Sequence, residues 1–145
     1  MLLEDTLQVL GKQKFAVMGV VFDIGQAWTV SGHNGQQKER QDVILVDTTR
    51  KMATVTLWEP HVHAIDGKEG TIIQITKLET RDYRGVRRFT TTSSSAMTSV
   101  DAMSDPRARM LQSWWDEEGP TQTFEELRLP NPEDTLSSTP PFPAE

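Results

Sequence analysis

Trp58 closes a strand-like run, Ala53-Thr54-Val55-Thr56-Leu57-Trp58, on the side that alternation assigns to solvent. Ala53, Val55 and Leu57 form a core side, and Thr54, Thr56 and Trp58 form the other. A bare indole between threonines costs solubility unless something covers it. A nucleic-acid base is one cover, since stacking on an aromatic ring contributes about 1–3 kcal/mol and suits any base. A loop or the C-terminal segment is the other. Just beyond, Glu59, His61 and His63 alternate as metal ligands could. Pro60 interrupts them and no further ligand is near, so a turn or helix start is the better reading. Ser93-Ser94-Ser95 has no candidate base beside it. Glycine-rich phosphate loops, nucleophile elbows and catalytic triad patterns do not appear. The chain reads as a binding protein without catalysis, metal or cofactor.

The elements that must hold Trp58 are strands. Phe15 to Asp23 is rich in β-branched and aromatic residues and continues through Gly25 toward Trp28-Val30. A long polar loop is expected from Gly32 to Arg40. Asp42 to Thr48, Met52 to Trp58, Thr71 to Leu78 and Val86 to Thr92 supply four more strands. Asp47 to Lys51 and Thr80 to Gly85 read as hairpin turns, and Pro60 to Gly70 as an insert holding a short helix or turn. Five short strands with an insert between the third and fourth suggest an OB-fold, a five-stranded Greek-key barrel, with Gly19 or Gly25 bending the first strand. A general β-sandwich is the alternative on pattern alone. Asp105, Pro106 and Gly119 bracket a helix as N-cap, first residue and stop. Ala108, Leu111 and Trp115 give it one apolar stripe, so Trp115, with Trp114, docks it by packing. The expected divisions are a lead-in at 1–14, the barrel at 15–104, the helix at 105–119 and a disordered or extended acidic, proline-rich tail at 120–145.

A chain of 145 residues is one domain of ordinary size. It has no cysteine, which removes disulfides, thiolate metal sites and a cysteine nucleophile. No apolar run approaches the roughly 18 residues of a membrane span, and Met1 to Asp5 lacks the basic start of a secretion signal. A soluble intracellular protein is expected. The net charge of -6 is unevenly placed: residues 1–98 carry 12 Lys+Arg against 11 Asp+Glu, and residues 99–145 carry 3 against 10. The acidity belongs to the C-terminal third, and a body near +1 predicts few phosphate contacts.

Several segments together resemble the large subunit of replication protein A. They are Leu45-Val46-Asp47-Thr48, Val55-Thr56-Leu57-Trp58, Asp66-Gly67, Arg81-Asp82-Tyr83-Arg84-Gly85 and Ser93-Ser94-Ser95, followed by Asp105-Pro106 and Leu111 to Gly119. Their order and spacing are similar to the second OB-fold of that subunit's DNA-binding core, over about residues 15–119. The resemblance implies a nuclear, single-stranded DNA-binding domain of DNA replication, repair or recombination, working beside other OB-fold subunits or domains. It implies base stacking on Trp58 and on Tyr83 in the loop between the last two strands. It also implies two DNA-clasping loops, the first offering Lys38, Arg40, His33 and Asn34 and the second Arg81, Arg84, Arg87 and Arg88. Arginine pairs with phosphate bidentately and stacks on bases. Glu39, Glu59 and Glu79 depart from the pattern and lower the affinity expected. The rival reading is an OB-fold interaction module that binds protein through its groove or its acidic tail.

Overall fold

The computed structural model describes residues 1–9, 13–32 and 35–129. Eight strands, β1 (Phe15–Ile24), β2 (Trp28–Ser31), β3 (Gln37–Val46), β4 (Lys51–Trp58), β5 (Ile72–Tyr83), β6 (Val86–Thr90), β7 (Met97–Ser99) and β8 (Glu125–Glu126), surround one helix in sequence, α1 (Pro106–Glu117). Five of them close the expected barrel. β1 pairs with β3, β3 with β4, β4 in parallel with β6, β6 with β5, and β5 returns to β1. Alternation sends Val17, Val43, Leu45, Val55, Leu57, Ile73, Ile75 and Phe89 inside, where all are fully buried. Phe89 meets Phe15 edge to face at 5.0 Å.

The first strand bends where close approach demands glycine. The β1–β3 register slips between Val21 and Asp23, and the Gly25 N–H donates to the Asp42 carbonyl at 2.9 Å. A Cβ on Gly25 would sit 2.9 Å from that same oxygen. Beyond it the chain turns into β2, which pairs with the first residues of β3 from Trp28↔Arg40 to Ser31↔Gln37. The polar stretch expected as loop up to Arg40 is therefore strand from Gln37 onward. This arm projects from the barrel with little of either side covered, so it carries no apolar alternation to mark it. Strand β7, which pairs with β5, is equally silent in the sequence.

The insert after β4 is a run of turns, not a helix, and places Ile65 in the core. Gln41, fully buried, ties it down: its Nε2 donates to the Gly25 carbonyl and to Asp66 Oδ1, and its Oε1 accepts from the His63 N–H. With the Gln41 bond first and His63 Nδ1 second, the Asp66 carboxyl is held below its usual range. His61 faces the Thr92 carbonyl. The histidines thus serve the turns, and among the described residues no cluster of three metal-ligating side chains forms.

The lead-in is part of the body. A 3-10 turn, Glu4–Gln8, sends Leu3 and Val9 into the barrel core. The Leu3 N–H donates to buried Asp47, and burial pushes that carboxyl up while this bond and those from Thr49 pull it down. Helix α1 is capped as expected, with Asp105 accepting from the Arg107 N–H and Pro106 opening the first turn. Ala108 and Leu111 pack on Met18, Val20, Val46 and Ile72 to form a second core outside the barrel wall. Phe22, Trp114, Trp115 and Phe124 extend it, with ring centroids 5.2–6.2 Å apart. Gly119 follows the helix for a steric reason: its Cβ would fall 2.3 Å from the Trp115 ring.

The segment after Gly119 is extended but docked. β8 runs parallel to the start of β4, Leu127 is fully buried in the barrel core, and the Leu129 N–H donates to the Gly85 carbonyl. The expected tail is thus docked on the body as far as Leu129, and residues 130–145 lie outside the described residues. A chain ending at residue 129 is expected to keep the full-length denaturation midpoint. Leu127→Ala should lose about 2–5 kcal/mol in chemical denaturation. A chain ending at residue 119 should lose more, because Phe22 and Trp114 are then uncovered as well.

Candidate nucleic-acid interface

Helix α1, the lead-in and the β8 segment each cover part of the barrel, and the outer side of β3, β4, β6 and β5 carries a groove of about 480 Å³. Thr56 and Trp58 from β4 line it together with Arg40 from β3, Thr90 and Arg88 from β6, and Arg81, Asp82 and Tyr83 from β5. Trp58 is on this side, as alternation from Ala53 requires. Its indole N–H donates to Thr90 Oγ1 at 3.1 Å and its backbone N–H to Thr91 Oγ1 at 3.1 Å, so the half-buried ring is pinned with the groove beside it. The C-terminal segment to residue 129 runs at the other end of β4, beside Lys51 and Met52.

Tyr83 ends β5 and is 53 % exposed. The hairpin is tighter than the expected Thr80–Gly85 turn. β5 continues to Tyr83, which pairs with Val86, leaving only Arg84 and Gly85 as turn residues, both with positive φ (51° and 79°). That is the primed two-residue turn that matches strand twist, with glycine in its usual place and Arg84 in the left-handed region. Arg84 and Arg88 stand 5.1 and 5.4 Å from the Tyr83 ring centre, in cation–π contact.

Arg81 and Arg88 are direct cross-strand partners. Like charges placed opposite one another destabilise a sheet. Neither makes an ion pair among the described residues, and Arg88 Nε is buried with no hydrogen-bond partner. Arg40 is more settled. Its Nε and Nη2 face the Asp42 carboxylate at 3.2 and 3.4 Å, and Asp42 also accepts from Thr56. Lys38, exposed on the β2–β3 arm, lies two residues from Arg40 and on the same side. Glu39 lies on the opposite side, its N–H bound by Glu59, so neither departure stands in the basic row. Glu79 shares the β5 side of Arg81 and Tyr83, opposite Thr90.

Arg87 does not belong to the site. It is 6 % exposed, its Nε and Nη2 bind both Asp82 oxygens at 2.9 and 3.0 Å, and its Nη1 donates to the Thr6 and Val9 carbonyls. Alternation from Arg88 puts it inside, where it joins the lead-in to the arginine hairpin. Its place in a run of four arginines concealed this role. His33 and Asn34 lie outside the described residues. Trp28, not expected in the site, is 45 % exposed beside Arg40.

Residues 3–100, the barrel with its lead-in, match the family model described as Replication protein A OB domain. The chain belongs to that family. It is 26 % identical over 117 residues to the Replication protein A 70 kDa DNA-binding subunit of Danio rerio, covering 79 % of this chain and 19 % of that protein. In fold it is similar to a replication protein A heterotrimer bound to ssDNA, with a TM-score of 0.78 at 19 % identity over 86 % of this chain and 29 % of that one. A Pot1 (protection of telomere)–ssDNA complex gives a TM-score of 0.58 at 16 % identity, over 79 % and 84 % of the two chains. The family match begins at residue 3, the buried Leu3, so the lead-in belongs to the OB domain.

Arg87→Ala should cost about 1–3 kcal/mol in chemical denaturation, because the buried Thr6 and Val9 carbonyls lose their donor. Arg88→Ala should leave stability unchanged or slightly raised, since it relieves the pairing with Arg81.

Proposed function

We propose that this replication protein A OB domain binds single-stranded DNA in the groove between Trp58 and Tyr83, serving DNA replication, repair or recombination in the nucleus. The observation that carries the reading is the Arg81–Arg88 pair. Two like charges are set opposite each other, one with an unpartnered buried N–H, between two aromatic rings. An anion satisfies the first feature and flat bases satisfy the second. A single strand offers both at once, because its bases are free to leave the stack. Bases stack on Trp58 and Tyr83, phosphates meet Arg81, Arg88, Arg84 and Lys38, and Arg40 supports the Trp58 ring. The role is one of holding DNA without catalysis, beside other OB-fold domains or subunits.

The acidic C-terminal residues are part of this reading. The last described backbone bond joins Leu129 to Gly85, at the tip of the arginine hairpin. Residues 130–145 carry Glu133, Asp134 and Glu145 and no basic residue. Tethered at that point, their local concentration is near millimolar, enough for weak competition with DNA at the neighbouring arginines. Deleting residues 130–145 should raise affinity modestly, and more at low salt, where screening is weak. Equal affinities at low salt would remove the tail from the groove.

Trp58→Ala should weaken binding to an oligothymidylate by about 1–3 kcal/mol in fluorescence anisotropy, and lower stability by about 1 kcal/mol through its lost hydrogen bond. Replacing Arg81, Arg84 and Arg88 together should flatten the salt dependence by roughly 0.7 log units per phosphate contact removed. An unchanged slope in a protein that still binds would make these arginines ordinary surface charges.

A further inference from the structure

Trp28, Arg40 and Trp58 form one row. Trp28 pairs with Arg40 across β2–β3, and Arg40 pairs with Trp58 across β3–β4. Directly opposed residues share a side of a sheet, so all three project from the groove side. Neighbouring strands lie about 4.8 Å apart, which sets the two tryptophan backbones roughly 10 Å from each other. The Arg40 guanidinium fills the interval, 5.1 Å from the Trp28 ring centre and 5.7 Å from that of Trp58. Asp42 holds the guanidinium from below through Nε and Nη2. The row is thus assembled before any ligand arrives.

The two indoles differ in what they have left to offer. Trp58 is half-buried, with its indole N–H committed to Thr90. Trp28 is 45 % exposed, and among the described residues its indole N–H has no hydrogen-bond partner. The arm around it is polar apart from Val30, which is half-buried on the same side, and Trp28 belongs to neither apolar core. A clamp on Arg40 uses one side of the ring and leaves the rest in water. Lys38, two pairs further along the arm opposite Val30, is exposed on the same side.

Resting on the single-stranded DNA reading above, we propose that Trp28 is a third base-stacking position. It extends the groove past Trp58 along the β2–β3 arm, where Lys38 meets the phosphate of the added nucleotide. The order of contacts along the strand is then Tyr83, the Arg81–Arg88 pair, Trp58 over Arg40, and Trp28 with Lys38.

The test is anisotropy titration of the full chain with oligothymidylates of graded length, comparing wild type, Trp28→Ala, Trp28→Phe and Trp58→Ala. Trp28→Ala should weaken binding about 5- to 150-fold on long oligonucleotides, the equivalent of ~1–3 kcal/mol of stacking at 1.4 kcal/mol per tenfold. It should leave the shortest binders unaffected, so that affinity stops rising at a shorter length than in wild type. Trp28→Phe, which keeps a ring, should restore most of the loss and guards against a folding defect in the alanine variant. A uniform loss at every length would mean that Trp28 acts only by holding Arg40, and would overturn the proposal. So would an unchanged length dependence in Trp28→Ala while Trp58→Ala still weakens binding, with the reading of the groove left standing. Absence of binding by wild type at every length would overturn both.

Discussion

The site depends on the register of β6 against β5. Arg87 and Arg88 are adjacent and chemically alike, yet one is fully committed inside the fold and the other lies open in the groove. What separates them is the two-point pairing of buried Arg87 with the half-exposed Asp82 carboxylate, together with the carbonyls of Thr6 and Val9. A slip of β6 by one residue would exchange the two arginines and bring Arg87 in place of Arg88 to the side of Tyr83, because side chains alternate strictly along a strand. The inner guanidinium is well satisfied by four acceptors, as a buried charge must be. The outer one keeps an unpartnered Nε. Stability and binding are thereby divided between two neighbours.

The remaining elements close off the other surfaces. The lead-in carries Leu3 and Val9 into the barrel, Ile65 enters from the turns after β4, and Leu127 enters from the docked C-terminal segment. Helix α1 covers the outer wall through Ala108 and Leu111 and the aromatic cluster of Phe22, Trp114, Trp115 and Phe124. The side between Arg40 and Tyr83 keeps a groove lined by two rings, by Arg81 and Arg88, which make no ion pair among the described residues, and by Asp82. Pre-organised donors and rings bind at lower entropic cost than flexible ones, and the hydrogen bonds of Trp58 to Thr90 and of Arg40 to Asp42 provide that order.

Much of this was legible where alternation has a buried side to report on. The barrel strands, the outward place of Trp58 and the capped helix all follow from period, propensity and cap residues. Reading failed where both sides of a strand are wet, as at Gln37 to Arg40, since nothing apolar marks the pairing. It failed at Arg87 for a different reason: four arginines in eight residues look alike until strand register assigns each a side. Leu127 was missed because an isolated leucine in a polar stretch has no period, whereas Leu3 stands in a short amphipathic series with Leu2, Leu7 and Leu10 that reads as a lead-in to the barrel and not as part of its core. Gly119 was placed correctly as the stop, though the cause is the Trp115 ring rather than a left-handed backbone. Trp28 gave a signal that went unused, a large aromatic in a polar hairpin two strands from Trp58.

The most direct test of the account is to follow the indole N–H of Trp58 and the Nε–H of Arg88 by heteronuclear NMR while an oligothymidylate is added. Both groups lie in the groove, one bonded to Thr90 and the other unpartnered. The account predicts saturable shifts of both at a common affinity, with the side chains of α1 and the amides of β8 unmoved. Saturable binding that shifts α1 or β8 and leaves Trp58 and Arg88 in place would contradict it.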